Sequence, residues 1–124
     1  MIMESRHSLF KSFQFAFEGV KVAVERGRNF RIQIVLGLLA IVLGLVLKLS
    51  LAEWLDLTLI MAIVLILELL NTAVESIVDI VSPNIQPKAK VAKDVAAAAV
   101  LIASAASIAM GAFIFLPRIF ALFY

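Results

Sequence analysis

Three apolar runs, each long enough to cross a lipid bilayer, constrain this chain more than any other feature. They cover residues 32–47, 52–81 and 95–116, and the first becomes long enough with residues 29–31 as its entry. A helix of about 20 residues spans the hydrocarbon core of a membrane. The hydrophobic content of 64% exceeds the roughly 45–50% that is typical of soluble domains. The chain is therefore predicted to be an all-α membrane protein with a single domain over residues 1–124.

Prolines, caps and charges set the predicted element bounds. An amphipathic surface helix at about 5–26 precedes three membrane helices at about 29–48, 52–81 and 93–116, with a polar loop at about 82–92. Phe10, Phe13 and Phe17 recur at helical spacing on the apolar side of the first helix, which suits the membrane interface; packing against protein helices is the alternative. Pro83 is expected to end the second span and Pro117 the third.

The basic residues predict the orientation of the chain in the membrane. Of the 11 Lys and Arg residues, six lie before Ile32, and three more are Lys88, Lys90 and Lys93. By the positive-inside rule, the N-terminus and the polar loop face the cytoplasm and the C-terminus lies on the other side. The same charges could also hold lipid headgroups or a nucleotide polyphosphate.

The segment ELLNTAVESIVD, residues 68–79, places polar groups at the end of the second apolar run. Glu68, Asn71, Glu75 and Asp79 are spaced 3, 4 and 4 residues apart, so all four project from one face of a helix. Ionisable groups at membrane depth are costly, and a cluster of them indicates a functional site.

These residue types suit phosphoryl transfer. Glu68 could act as a general base toward a hydroxyl delivered from the lipid phase, or it could be a structural carboxylate. Glu75 is a natural Mg²⁺ ligand, and Asp79 is either a supporting group or a solvated helix end. Lys93, at the predicted start of the third span, would bind an anion together with the helix N-terminus, and Asp94 could cap the helix or pair with a basic residue. Phosphoryl transfer depends mostly on such positioning and charge neutralisation.

Several other chemistries are excluded. The chain has no cysteine and one histidine, His7, which excludes thiolate metal sites, cysteine nucleophiles and HExxH zinc sites. The nucleotide motifs GxxxxGK[ST] and GxGxxG are absent. We expect no nucleic-acid partner.

The chain resembles the small bacterial membrane lipid kinases, the prokaryotic diacylglycerol kinase and undecaprenol kinase family. Two segments are similar to the family's conserved blocks: ELLNTAVESIVD at 68–79 and AKVAKDVAAAAVL at 89–101. FKSFQFAFEG at 10–19 and RNFRIQ at 28–33 resemble its surface helix and the start of its first span. KLSLAEW at 48–54 and FLPRI at 115–119 are typical of the Gram-positive branch.

The resemblance implies a homotrimer with active sites shared between subunits, and ATP and Mg²⁺ as donor and metal. It implies that Glu68 is the catalytic base, that Asn71 orients the reacting groups and that Glu75 binds the metal. The implied nucleotide-binding residues are Lys11, Phe15, Glu75, Asn84, Gln86, Lys93 and Asp94. The implied lipid-binding residues are Glu68, Asn29, Phe30, Arg31 and Ala97.

One departure affects the metal site, and the acceptor stays open. The family usually carries a glutamate, as second metal ligand, where this chain has Gly27, and Glu25 is the hypothetical substitute. The Gram-positive features favour undecaprenol as the acceptor, with diacylglycerol as the alternative. Two alternatives lie outside lipid kinase chemistry. The chain could be a small transporter with an intramembrane carboxylate, or it could be an inactive structural homologue.

Overall fold

A computed structural model of the protein describes residues 8–124, which form four α-helices in this order: α1 (Leu9–Arg26), α2 (Arg28–Leu47), α3 (Leu51–Val81) and α4 (Pro87–Phe123). Helices α2, α3 and α4 are each long and apolar enough to cross a membrane, which confirms the all-helical membrane class. Residues 5–7 of the predicted first helix lie outside the described residues.

Helix α3 is the centre of the bundle. It contacts each of the other helices and packs most extensively against α4. Much of the apolar surface stays uncovered in one chain: Leu45, Leu101 and Ile108 are 65%, 70% and 74% exposed. An apolar surface of this extent needs lipid or another protein to cover it.

The turn between α2 and α3 anchors one end of the bundle. Ser50 caps α3 and shares a capping box with Glu53, which satisfies two backbone donors of the first turn. Arg118 of α4 is ion-paired with Glu53. Its Nη1 also donates to the carbonyl oxygens of Leu47 at 3.1 Å and Lys48 at 3.2 Å, so one guanidinium joins all three membrane helices.

The last helix departs from the sequence prediction at both ends. It begins at Pro87 and runs through Pro117 to Phe123, so the predicted loop over 82–92 is too long and the prediction that Pro117 closes the helix is wrong. Proline suits the first helical position because its missing N–H would be unpaired there. An interior proline removes one hydrogen bond, a loss that membrane helices accommodate through their neighbours.

Candidate functional site

The carboxylate of Glu68 is the most deeply buried charged group of the bundle that the structure describes. Glu68 is 4% exposed. Within residues 8–124, its Oε1 and the Oδ1 of Asn71 are buried atoms with no hydrogen-bond partner. An unpaired buried acceptor costs about 1–3 kcal/mol, so two such atoms one helical turn apart indicate a place where a ligand supplies the missing donors or a cation.

Asn71 links this buried pair to the more exposed end of α3. Its Nδ2 donates to Oε1 of Glu75 at 3.2 Å, which leaves the Asn71 Oδ1 unpaired. Glu75 is exposed and close enough to interact electrostatically with both Glu68 and Lys93. Along one face of α3, exposure to solvent therefore increases from Glu68, which is buried, through Asn71 to Glu75, which is exposed.

Lys93 joins this face from α4. Its Nζ lies 2.6 Å from Oδ1 of Asp79, so an ion pair connects the end of α3 to the second turn of α4. Because α4 begins at Pro87, the prediction that Lys93 stands at a helix N-terminus is wrong. Its charged side chain, rather than free backbone N–H groups, brings Lys93 within electrostatic reach of Glu75.

The remaining nucleotide-binding candidates lie outside α3, on α1, on α4 and in the turn between α3 and α4. Asp94 pairs with Lys90 on its own helix at 2.5 Å. Asn84 and Gln86 are exposed in the turn between α3 and α4. Ala97, a predicted lipid-binding residue, is exposed on α4. Lys11 and Phe15 are exposed on α1, and within the described part of one chain no Cα atom of α1 lies within 8 Å of one in α4.

The corner between α1 and α2 holds the other lipid-binding candidates. Phe30 is buried at 3% exposure, while Asn29 is exposed. Arg31 donates through Nη1 to the carbonyl oxygens of Val24 at 2.8 Å and Glu25 at 3.2 Å. These are last-turn carbonyls of α1, which a helix leaves without internal partners. Arg31 therefore fixes the corner in one chain.

A shallow apolar depression of about 370 Å³ lies between α1 and α3. It is lined by Ala16, Gly19, Val20, Val22 and Ala23 of α1 and by Leu69, Thr72 and Ala73 of α3. Small side chains on both helices leave this space open. An apolar chain seated there would lie within one helical turn of Glu68.

The oxygen atoms on this face suit a Mg²⁺ ion that is shared with phosphate groups. No group of three or more Asp, Glu, His or Cys side chains in residues 8–124 is arranged to hold a metal. Magnesium bound through one or two carboxylates plus phosphate oxygens does not require such a group. The exposed Glu75 and the unpaired Oδ1 of Asn71 are oxygen donors of the type that this ion prefers.

Gly27 forms the tight corner between α1 and α2, two residues after the second metal candidate, Glu25. A Cβ added at Gly27 would lie 2.8 Å from the carbonyl oxygen of Ala23, so a glutamate could stand there only if the corner shifted. Glu25 is exposed, with Lys21 4.0 Å away as its ion-pair partner. Its metal role stays a prediction.

Sequence reasoning missed three contacts: Lys93 with Asp79, Arg118 with Glu53, and Gln33 Nε2 with Ser104 Oγ at 3.2 Å. Each joins two helices, and opposite charges near the ends of α3 and α4 were the only available signal for the first two.

The chain matches known proteins over most of its length. The family model of prokaryotic diacylglycerol kinase matches residues 14–115. The chain belongs to this family. It is 37% identical to the undecaprenol kinase of Bacillus subtilis over 110 residues, 89% of each chain. It is 41% identical to a diacylglycerol kinase of Synechocystis over 116 residues, 93% of this chain and 66% of that protein, and 37% identical to one of Helicobacter pylori over 94 residues, 76% of this chain and 73% of that protein.

Membership confirms the lipid kinase interpretation over the transporter. The relatives are named as kinases of two different lipids, so the family fixes the class of reaction and leaves the acceptor to be argued separately. A kinase of this family requires a phosphoryl donor, which fits the predicted use of ATP.

Proposed function

We propose that this protein transfers the γ-phosphoryl group of ATP to the hydroxyl of undecaprenol, giving undecaprenyl phosphate and ADP. The observation that carries the proposal is the buried Oε1 of Glu68, which has no hydrogen-bond partner within the described residues. A hydroxyl that donates to this oxygen would satisfy it and would be held by the group that takes its proton.

The reaction needs few covalent roles from the protein. The lipid hydroxyl oxygen forms a bond to the γ-phosphorus while the bond from that phosphorus to the β–γ bridging oxygen breaks, and the hydroxyl proton moves to Glu68. ADP leaves with the bridging oxygen. Asn71 orients Glu75 through its 3.2 Å hydrogen bond, and Lys93 brings a positive charge toward the phosphates.

Glu75, with the amide oxygen of Asn71, is the proposed Mg²⁺-binding pair. The ion neutralises phosphate charge when it is bound. Glu25 is the proposed second carboxylate. The nucleotide contacts of Lys11, Phe15, Asn84, Gln86 and Asp94, and the lipid contacts of Asn29, Phe30, Arg31 and Ala97, stay proposals that rest on the family resemblance.

Two observations favour undecaprenol. The match to the undecaprenol kinase covers 89% of both chains, and KLSLAEW at 48–54 and FLPRI at 115–119 resemble the Gram-positive branch. Diacylglycerol is the second candidate because the chain is 41% identical to a diacylglycerol kinase. The depression between α1 and α3 is apolar, which suits the chain of either lipid.

The proposed assembly is a homotrimer in a bacterial cell membrane, with the N-terminus and the site on the cytoplasmic side. The basic N-terminal segment and Lys88, Lys90 and Lys93 support this orientation. Within the described residues of one chain, no Cα atom of α1 lies within 8 Å of one in α4, which supports sites completed by a neighbouring subunit. The exposed phenylalanines of α1 support its proposed place at the membrane surface.

A transfer assay with labelled ATP and Mg²⁺ in mixed micelles tests the acceptor. Undecaprenol and diacylglycerol are offered separately and then in competition. Preferential labelling of undecaprenol is the expected result. Preferential labelling of diacylglycerol would replace the acceptor, and no labelling of either lipid by a folded oligomer would support the inactive-homologue interpretation.

A further inference from the structure

Asp79 is a charged residue of the functional face to which the proposed reaction gives no role. It follows Glu75 by one helical turn on α3, and its Oδ1 lies 2.6 Å from Nζ of Lys93 on α4. The two residues are 14 positions apart in sequence, so this contact depends on how the two helices pack and not on local spacing.

A partner that orients a lysine in advance lowers the entropy cost of binding a phosphate. The ammonium carries three donors on a flexible four-carbon stem, and ordering that stem costs conformational entropy. One donor directed to Asp79 leaves two for phosphate oxygens. Glu75 also interacts with the Lys93 ammonium, so Lys93 lies within electrostatic reach of the proposed metal ligand.

A purely structural role for the pair is less well supported. The side chains of Lys93 and Asp79 are 41% and 64% exposed, and exposed ion pairs add little stability. Helices α3 and α4 are already tied at their other end by the less exposed pair of Arg118 and Glu53. We infer that Asp79 is a positioning residue that holds the Lys93 ammonium ready for the phosphates of ATP, an inference that rests on the proposed function.

The test is a double-mutant cycle on KM for MgATP, kcat and the Kd of MgATP by equilibrium dialysis. Asp79→Ala should raise KM and Kd roughly 5-fold, the factor that corresponds to the upper end for an exposed ion pair, and should change kcat little. Asp79→Asn keeps an acceptor oxygen and should cause a smaller rise. In a Lys93→Met background, Asp79→Ala should have no further effect, because Asp79 acts through Lys93.

The matched control is Glu53→Gln, which breaks the other ion pair between the same two helices. It should leave KM and Kd for MgATP unchanged, whatever it does to stability. If Asp79 only competed with phosphate for Lys93, Asp79→Ala would lower KM, which would overturn the inference. A rise of equal size in the Lys93→Met background, or an equal rise in Glu53→Gln, would overturn it as well. Absence of lipid phosphorylation by the unmodified protein would instead overturn the proposed function. The two failures can be told apart because equilibrium dialysis measures MgATP binding without any transfer reaction.

Discussion

Glu68 combines deep burial with an unused acceptor. It is 4% exposed, and its Oε1 has no partner among the described residues. Glu68→Gln keeps the shape of the side chain and removes the base. We expect the initial rate of lipid phosphorylation to fall at least ~100-fold, since loss of a general base typically costs 10²–10⁴.

The control for this variant is Asp56→Asn, which makes the same chemical change at an exposed position of the same helix. It should keep the rate and the oligomeric state of the unmodified protein. A near-normal rate in Glu68→Gln would show that another group accepts the proton.

The α2–α3 turn depends on a glycine where two elements approach closely. A Cβ on Gly44 would lie 2.8 Å from Cη2 of Trp54 and 3.0 Å from Cδ1 of Leu49. Overpacking at such a contact typically costs about 1–3 kcal/mol. Gly44→Ala should therefore lower the midpoint of thermal unfolding in detergent micelles.

Gly37→Ala is the matched substitution on the same helix. There an added Cβ meets only Sδ of Met61, at 4.0 Å, so alanine should be neutral or stabilising, by at most about 1 kcal/mol from its higher helix propensity. Equal midpoints for the two variants would mean that the Trp54 ring moves aside at no cost.

Helix content was predictable from the sequence, and helix ends were less so. Apolar runs and a 3-4-4 spacing are local properties, so the membrane helices and the shared face of Glu68, Asn71 and Glu75 follow from them directly. Both misplaced ends of α4 involve a proline, at Pro87 and Pro117. Proline permits a helix start and weakens a helix interior, and tertiary neighbours decide the outcome.

The ion pair of Lys93 with Asp79 lay beyond the sequence for a different reason. Its geometry depends on the turn at 82–86 and on the packing of α3 against α4. The i, i+4 pairs of Lys90 with Asp94 and of Lys21 with Glu25, by contrast, follow from spacing along one helix.

The whole molecule separates two groups of proposed nucleotide ligands. Lys11 is on α1 and Lys93 is on α4, and within the described part of one chain no Cα atoms of these two helices lie within 8 Å of each other. Lys93 is instead close to Glu75 of the same chain, which in turn interacts with Glu68. We therefore predict that Lys11 and Lys93, if both bind one ATP molecule, come from different subunits.

Mixing two defective variants tests this arrangement. Lys11→Met and Lys93→Met should each lose most activity at low MgATP, because each removes a phosphate-binding charge. Oligomers reassembled from a mixture of the two should regain activity, since a site with Lys11 from one chain and Lys93 from another is intact. A mixture of Glu68→Gln and Lys93→Met should regain none, because one chain supplies both groups to a site. If the first mixture shows only the sum of its components, then Lys11 and Lys93 do not serve one shared site.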